Sequence, residues 1–466
     1  MIKFLLNNTI VSTELPPGNL LIDFIRYDQN LKGTKIGCRE GDCGACVVLI
    51  GEIKNGELNY QSLTSCLTPL ANVANKHVVT IEGANMEGLN PIQQAMTDES
   101  ATQCGFCTPG FVMSFAGFCL SRKESCYENA IAAVDGNICR CTGYKSIERA
   151  ARKITNLLDS RAGQDSVEFV ASDNILPSYF SEVKGRLQQF NTETNGEMLH
   201  ENIGGFIGGG TDLYVQKHDE LKEAQNRYLF NHSSLKGIWQ EENKCLVGAS
   251  ATVTDLAESP IMNDHFPNLK RYIRLVSSTP IRNMATLAGN FINASPIGDL
   301  TIFFLALNAN LVISNGKNRR ELPLRKLYKG YKTIDKSHDE FIEKIWFELP
   351  GENTRFHFEK VSKRTYLDIA TVNSAISLTL NNNLISEVHL SAGGVGPIPL
   401  FLENTCSFLK GKTITVQTIQ QAIEVMQREI TPISDVRGSE SYKRLLLAQL
   451  FKAHFVELFD FSPAIG

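Results

Sequence analysis

The chain has 466 residues, 42% of them hydrophobic and 21% charged, with a formal net charge of −4. At roughly 150 residues per domain this allows about three domains, each with ample core. No basic block, acidic tail or uncharged apolar run of about 20 residues appears, which argues against nucleic acid, a membrane surface or a membrane span as partners.

The start, "MIKFLLNNTI", turns polar at Asn7, too early for a signal peptide, so a soluble cytoplasmic chain is expected. Residues 2–6 and 10–14 read as two strands joined at Asn7-Asn8. Helical spacing over 20–30 and further strands at 46–53 and 78–83 complete a small mixed-β domain, 1–83. The period then changes. Asn90-Pro91 suits a helix start, and apolar spacing predicts helices from 91, over 109–120, over 127–134 and over 147–158. These four helices form a bundle domain, 84–158. Residues 159–175 are polar and weakly patterned, as in a linker. Strands alternate with helices over 176–351, and strands followed by helices fill 352–466.

Ten of the 12 cysteines fall before residue 142, and in a reducing compartment such clustering argues for metal rather than disulfides. Cys38, Cys43 and Cys46 make C-x4-C-x2-C, and Cys66 follows after 19 residues. This is the plant-type ferredoxin spacing, in which four thiolates hold a [2Fe–2S] cluster. One short loop then wraps the cluster while its N–H groups point at sulfur, which asks for positive φ or close backbone approach at Gly37, Gly41 and Gly44. Structural zinc normally uses paired knuckles, and only one such pair is present here. Cys104 and Cys107 in "QCGFCTPG", with Cys139 and Cys141 in "CRCTGY", form a second set. By itself it fits zinc or a second [2Fe–2S] cluster. Cys119, Cys126, Cys245 and Cys406 read as small buried hydrophobes.

No G-x-G-x-x-G occurs, so a Rossmann dinucleotide site is unsupported. "FIGGGTDL" (206–213) is either a tight turn or a nest of N–H groups for a pyrophosphate, with Thr211 adding a hydroxyl. "IRNMATLAGNFINASPIGDL" (281–300) supplies a second small-residue loop, with Asn290 and Asp299 as polar anchors.

At these residues the chain resembles the molybdenum hydroxylases, the group of xanthine dehydrogenases and aldehyde oxidases. "GCREGDCGAC", "QCGFCTPG" and "CRCTGY" are similar to its two iron–sulfur domains, and "FIGGGTDL" and "TLAGN" to its FAD domain. The resemblance implies an α+β multidomain chain. Its parts are a plant-type ferredoxin β-grasp domain, a four-helix [2Fe–2S] domain, a vanillyl-alcohol-oxidase-type (PCMH) FAD domain and a C-terminal α+β flavoprotein domain. It implies that Ile207, Gly208, Gly209, Gly210, Thr211, Asp212 and Leu213 line the pyrophosphate. Thr286, Leu287, Gly289, Asn290, Ser295 and Asp299 would hold ribityl, phosphate and adenosine groups. In "FEKVSKRTYLDIA" (358–370) Lys360 would lie near the flavin, the alternative being a solvated strand lysine. "SAGGVGPIPL" (391–400) is similar to the family's C-terminal domain. Arg39, Val276 and Pro280 depart from residues common in relatives.

Nothing in the chain resembles a molybdopterin domain. The resemblance is therefore to the smaller chain of a two-chain bacterial enzyme, and it implies a separate molybdopterin-bearing partner, two copies of each chain, and NAD as acceptor. Electrons from purine oxidation would pass through the helical-domain cluster, the plant-type cluster, FAD and then NAD, with Gln103 and Cys141 on the pterin side. Rival readings are a partner acting on an aldehyde or another N-heterocycle, a self-contained iron–sulfur flavoprotein reductase, or zinc modules in an interaction protein.

Overall fold

The computed structural model describes residues 1–190 and 204–459, which form two compact units. The first contains 1–190, 204–231 and 278–285; the second contains 232–277 and 286–459.

The first unit opens with a five-stranded sheet: β1 (Ile2–Leu6), β2 (Thr9–Thr13), β3 (Val47–Lys54), β4 (Glu57–Thr64) and β5 (His77–Val79), in the order β2-β1-β5-β3-β4. β1 and β5 run parallel and the other pairs antiparallel. The expected helix at 20–30 is one α-turn, Leu21–Asp23, continuing as a π-helix over Phe24–Asp28. The expected strand at 78–83 stops at Val79. Thr80 and Glu82 bond each other at 2.6 Å, and Glu82 accepts the Gly33 amide at 2.7 Å, so Ile81–Ala84 curls into a helical turn. β4 lay outside the sequence expectations. It buries Leu58, Tyr60 and Ser62, an alternation in which the third inward residue is polar.

The four expected helices are Pro91–Asp98, Thr108–Leu120, Tyr127–Ala133 and Lys145–Asn156. Asn90 and Gln93 form a capping box at the first. Thr108–Leu120 is apolar on nearly every side and forms the centre of the bundle, as helices buried all round do. Within 159–175 a further helix, Ser166–Ser172, starts at Asp165, whose carboxylate accepts the amides of Val167 and Glu168. It adds Val167, Phe169 and Val170 to the bundle core. Later in the chain β6 (Phe206–Ile207) and β7 (Arg227–Tyr228) pair in parallel, with the helix Leu213–Glu223 as their crossover.

In the second unit β8 (Ile238–Glu241), β9 (Lys244–Gly248), β10 (Asn310–Ser314), β11 (Arg319–Pro323) and β14 (Phe341–Glu348) make an antiparallel sheet, ordered β11-β10-β14-β9-β8. A small hairpin, β12 (Tyr328–Gly330) with β13 (Thr333–Ile334), precedes β14. The C-terminal sheet runs β15 (Thr354–Val361), β16 (Val372–Asn381), β17 (Leu384–Gly393), β18 (Leu400–Phe401), all antiparallel. Asp299–Ala306 packs on β16 and β17, and Glu440–Phe459 packs on β15 and β16. No helix among the described residues is long and apolar enough to cross a membrane.

Candidate iron–sulfur and flavin centres

All 12 cysteines are free thiols, and the eight candidate ligands meet in pairs. Cys38 neighbours and interacts with Cys43, and Cys46 with Cys66. In the helical segment Cys107 interacts with Cys139, and Cys104 with Cys141. In each pair of the first set one thiol is lowered and its partner raised. The neighbouring Cys43 thiol, with amides of Glu40, Cys43 and Asp42, brings Cys38 down to about 5, while Cys43 itself is pushed up. Cys46 is likewise lowered by the neighbouring Cys66 thiol, and Cys66 raised by Cys46. Among the described residues no three His, Cys, Asp or Glu side chains converge to hold a single ion. A [2Fe–2S] cluster needs something different, namely two thiolates on each of two irons. Two pairs in each set fit that demand.

Backbone donors surround the sulfurs. The Glu40 amide reaches Cys38 Sγ at 3.3 Å, and the Thr142 amide and hydroxyl reach Cys139 Sγ at 3.4 and 3.1 Å. Such N–H···S contacts offset cluster charge. Gly41 and Gly44 have φ of +77° and +69°. Gly37 serves by closeness instead, since a Cβ there would come 2.7 Å from Cys43 Sγ. Arg39 also adopts positive φ, +58°, and its guanidinium grips Asp23 with bonds of 3.2 and 2.6 Å.

Asn137, which the sequence reading did not single out, ties the two cysteine segments together. Its Nδ2 donates to Gly44 O at 3.2 Å while its Oδ1 accepts Ser114 Oγ at 2.8 Å, and the next amide, Ile138 N, donates to Cys43 O. Nothing but polarity marked this residue, so no signal in the chain could have found it. Of the four other cysteines, Cys119, Cys245 and Cys406 are buried, and burial pushes each thiol up to about 12. Cys126 is half-buried.

The glycine loop lies in the first unit. Ile207 is buried in the core that holds Cys46 and Cys66, and Leu213 packs against that core, which leaves the backbone of 208–212 with the side chains of Thr211 and Asp212 to face a ligand. Gly210 has φ of +82°, and a Cβ on Gly209 would collide with Met284 O. Thr211 is partly exposed, and Asp212 accepts the Gln216 side chain at 2.7 Å. Asn72 donates to Gly208 O at 3.4 Å, and Asn231 donates to Ala71 O at 3.0 Å. The buried oxygen of each amide has no partner among the described residues. Acceptors of this kind, beside a loop of glycine amides, suit a dinucleotide rich in hydroxyl and N–H donors.

In the second unit Thr286 caps Leu287–Asn293 by accepting the Gly289 amide at 3.2 Å, and the Leu287 amide donates to Ala251 O. Asn290 Oδ1 accepts the amide and hydroxyl of Thr301 at 3.1 and 3.0 Å. Ser295 O closes a turn on Gly298 N. Asp299 and Lys360 form an ion pair of 2.7 Å, and Lys360 Nζ also donates to Leu275 O at 2.7 Å. Its side chain is 2% exposed, so it is no solvated strand lysine. Asn373, also outside the sequence reading, donates to Asp299 Oδ1 at 2.6 Å. Burial is the largest influence on Asp299 and raises its carboxyl above the usual range, against the pull of Lys360 and Asn373.

Comparison with known domains agrees with this order. Residues 4–71 match the 2Fe-2S iron-sulfur cluster binding domain, and 80–152 the [2Fe-2S] binding domain. Residues 198–350 match the FAD binding domain in molybdopterin dehydrogenase, and 357–458 the CO dehydrogenase flavoprotein C-terminal domain. A xanthine dehydrogenase of Emericella nidulans is 28% identical over 97% of this chain and 38% of its own length. Xanthine dehydrogenase 1 of Arabidopsis thaliana is 27% identical over 93% of this chain and 38% of its own length. The chain thus spans well under half of these relatives. Among solved structures, carbon monoxide dehydrogenase of Hydrogenophaga pseudoflava matches with a TM-score of 0.51 and 23% identity, over 56% of this chain and 90% of that one. Quinoline 2-oxidoreductase of Pseudomonas putida 86 matches with 0.50 and 22%, over 54% and 88%. Those two likenesses speak to the fold alone. Four domains in this order assign the chain to the iron–sulfur and FAD portion of the molybdenum hydroxylase family of oxidoreductases.

Proposed function

We propose that the chain is the electron-transfer part of a xanthine dehydrogenase, working with a separate molybdopterin-bearing chain that oxidises hypoxanthine or xanthine. When bound, the two [2Fe–2S] clusters pass single electrons and FAD gathers two of them for hydride transfer to NAD. The observation that carries this reading is the pairing of eight free thiols into two sets, in a chain whose relatives bear that enzyme's name.

Cys38, Cys43, Cys46 and Cys66 hold the plant-type cluster, with the Glu40 amide donating to Cys38 and glycines letting the loop close. Cys104, Cys107, Cys139 and Cys141 hold the other, and Thr142 donates twice to Cys139. Gln103 and Cys141 lie on the pterin-facing side of the relay. The backbone of 207–213 takes the FAD pyrophosphate. Thr286, Leu287, Gly289, Asn290, Ser295 and Asp299 contribute the remaining flavin contacts, and Lys360 keeps its cation fixed beside the Asp299 carboxylate. Two copies of each chain make a cytoplasmic heterotetramer.

Copurification from native extract, followed by metal and pterin assay, tests the partnership. The isolated chain should let NADH reduce its flavin and should not oxidise xanthine. Mixed with its partner, it should couple purine hydroxylation to NAD reduction. Turnover of an aldehyde or another N-heterocycle but not of purines would overturn the substrate and leave the relay standing. Turnover of xanthine by the lone chain, or the lack of any second chain in the extract, would overturn the partnership.

A further inference from the structure

Residues 278–285 open the second flavin motif in sequence, yet they fold with the iron–sulfur segments. Asp135, at the end of the helix Tyr127–Ala133, grips this stretch from three sides. Its Oδ1 accepts the Thr279 amide at 2.7 Å, and its Oδ2 accepts Thr279 Oγ1 at 3.1 Å and Arg282 Nη2 at 2.6 Å. Thr279 Oγ1 also reaches Ala132 O at 2.9 Å, and the Arg282 side chain is 10% exposed. Gly136 completes the seat, since a Cβ there would come 2.9 Å from Ser278 Cβ and 3.0 Å from Pro280 Cδ. That contact gives Pro280 a packing role at the first turn of the short helix Thr279–Arg282.

The other end of the stretch meets the glycine loop. Asn283 Nδ2 holds Ser62 O at 2.9 Å, Thr68 Oγ1 contacts Met284 Sδ at 3.5 Å, and Met284 O lies where a Gly209 Cβ would be. Ile281 Cδ1 would sit 2.7 Å from a Cβ on Gly41, in the plant-type cysteine loop. Seven residues therefore span from an acidic side chain of the helical iron–sulfur segment to the backbone that flanks Gly209, with no slack at either end.

We propose that Asp135 is a positioning residue for the glycine loop, acting through residues 279–285. The proposal rests on the reading that 207–213 takes the FAD pyrophosphate. Asp135 touches neither the loop nor a cysteine of either set. Its carboxylate fixes Thr279 and Arg282, these fix the turn that carries Met284, and the Met284 carbonyl sets how far Gly209 can move. Because packed segments shift as bodies rather than deform freely, loosening one end displaces the other.

The test uses the full chain stripped of flavin, titrated with FAD and followed by flavin fluorescence, with electron paramagnetic resonance on the same samples. Asp135→Asn should weaken FAD binding about tenfold, near the coupling expected of residues in one network, while both iron–sulfur signals keep their intensity. In a Gly209→Ala background, where the loop is already displaced, the same change should weaken binding by less than about threefold. A carboxylate that only stabilised the helical segment would give equal factors in both backgrounds. Should Asp135→Asn lose a cluster, Thr279→Val replaces it, because that change deletes the hydroxyl that bonds Asp135, Ala132 O and Arg282 Nη2 and keeps the Asp135–Arg282 ion pair. Several-fold weaker FAD binding in that variant supports the proposal. Unchanged affinity in whichever variant keeps both clusters, or equal factors in the two backgrounds, overturns it. Failure of the unaltered chain to bind FAD would instead remove the reading of the loop itself.

Discussion

Lys360→Met keeps the apolar stem and deletes the ammonium, so it isolates one ion pair. Lys360 is 2% and Asp299 12% exposed, and they meet at 2.7 Å. Removing one partner from a buried pair costs about 3–5 kcal/mol, because the other charge is stranded. Asp299 keeps its bond from Asn373 at 2.6 Å and can take up a proton, which puts the loss at the lower end, about 3 kcal/mol. For a unit of roughly 200 residues each kcal/mol moves the midpoint by about 2–4 °C, so the transition should fall by roughly 6–12 °C. Differential scanning calorimetry on flavin-free protein reads this without ligand linkage. The sign with pH follows from Asp299, whose carboxyl burial already raises above the ordinary value of 3.8. Without Lys360 it rises further, so the folded variant holds a proton that the unfolded chain has released. Its deficit against the unaltered chain is therefore small near pH 4, grows as pH rises through the raised carboxyl value, and then levels off. Asp299→Asn in the same background removes the stranded charge and should recover part of the loss. A fall below about 2 °C, or a deficit independent of pH, would refute a buried, mutually dependent pair.

Cys43→Ser and Cys139→Ser should each abolish a different iron–sulfur signal in electron paramagnetic resonance; loss of the same signal from both would break the grouping into two sets. Arg39 sits at a φ that glycine adopts more cheaply and is tied to Asp23. Arg39→Gly should therefore lower the midpoint potential of the plant-type signal and Asp23→Asn should raise it, with shifts of one sign ruling out a charge effect. His77, fully buried, is pushed down to about 3, chiefly by burial, while donating Nε2–H to Asn7 O and accepting the Tyr60 hydroxyl. The unfolded chain takes the proton first, so the first unit should lose stability as pH falls from 6.5 towards about 3. The full effect is on the order of 5 kcal/mol, read from urea midpoints, and His77→Gln should flatten the slope.

What the sequence made legible was chemistry with a fixed spacing. Thiols at 38, 43, 46 and 66 must sit on one loop and its neighbour to serve one cluster, so their grouping could be read without coordinates. The helices at Pro91–Asp98 and Thr108–Leu120 were equally plain, since a capping box and a long apolar run are local signals. Short elements defined by their neighbours were not. Ser166–Ser172 is seven residues long in a polar stretch and is helical because Asp165 caps it and the bundle buries one face. β4 carries a polar residue at an inward position, and the strand at His77–Val79 ends where Thr80 and Glu82 find side-chain bonds.

The deeper limit is that chain order does not say which body a segment joins. Residues 281–300 read as one flavin motif, yet Ile281 to Ala285 belong with the iron–sulfur segments and Thr286 onward with the second unit. The division falls between Ala285, whose amide bonds Ile281 O, and Thr286, which caps a helix of its own. Long-range partners decide that assignment: Asp135 for Arg282 and Ser62 for Asn283 on one side, Ala251 for Leu287 on the other. None of these pairs has a spacing rule, because each is fixed by packing between elements more than 30 residues apart. Lys360 and Asp299 illustrate the same point from the site. Each could be named separately as a flavin residue, but only their shared burial makes them one unit whose two halves must be altered together.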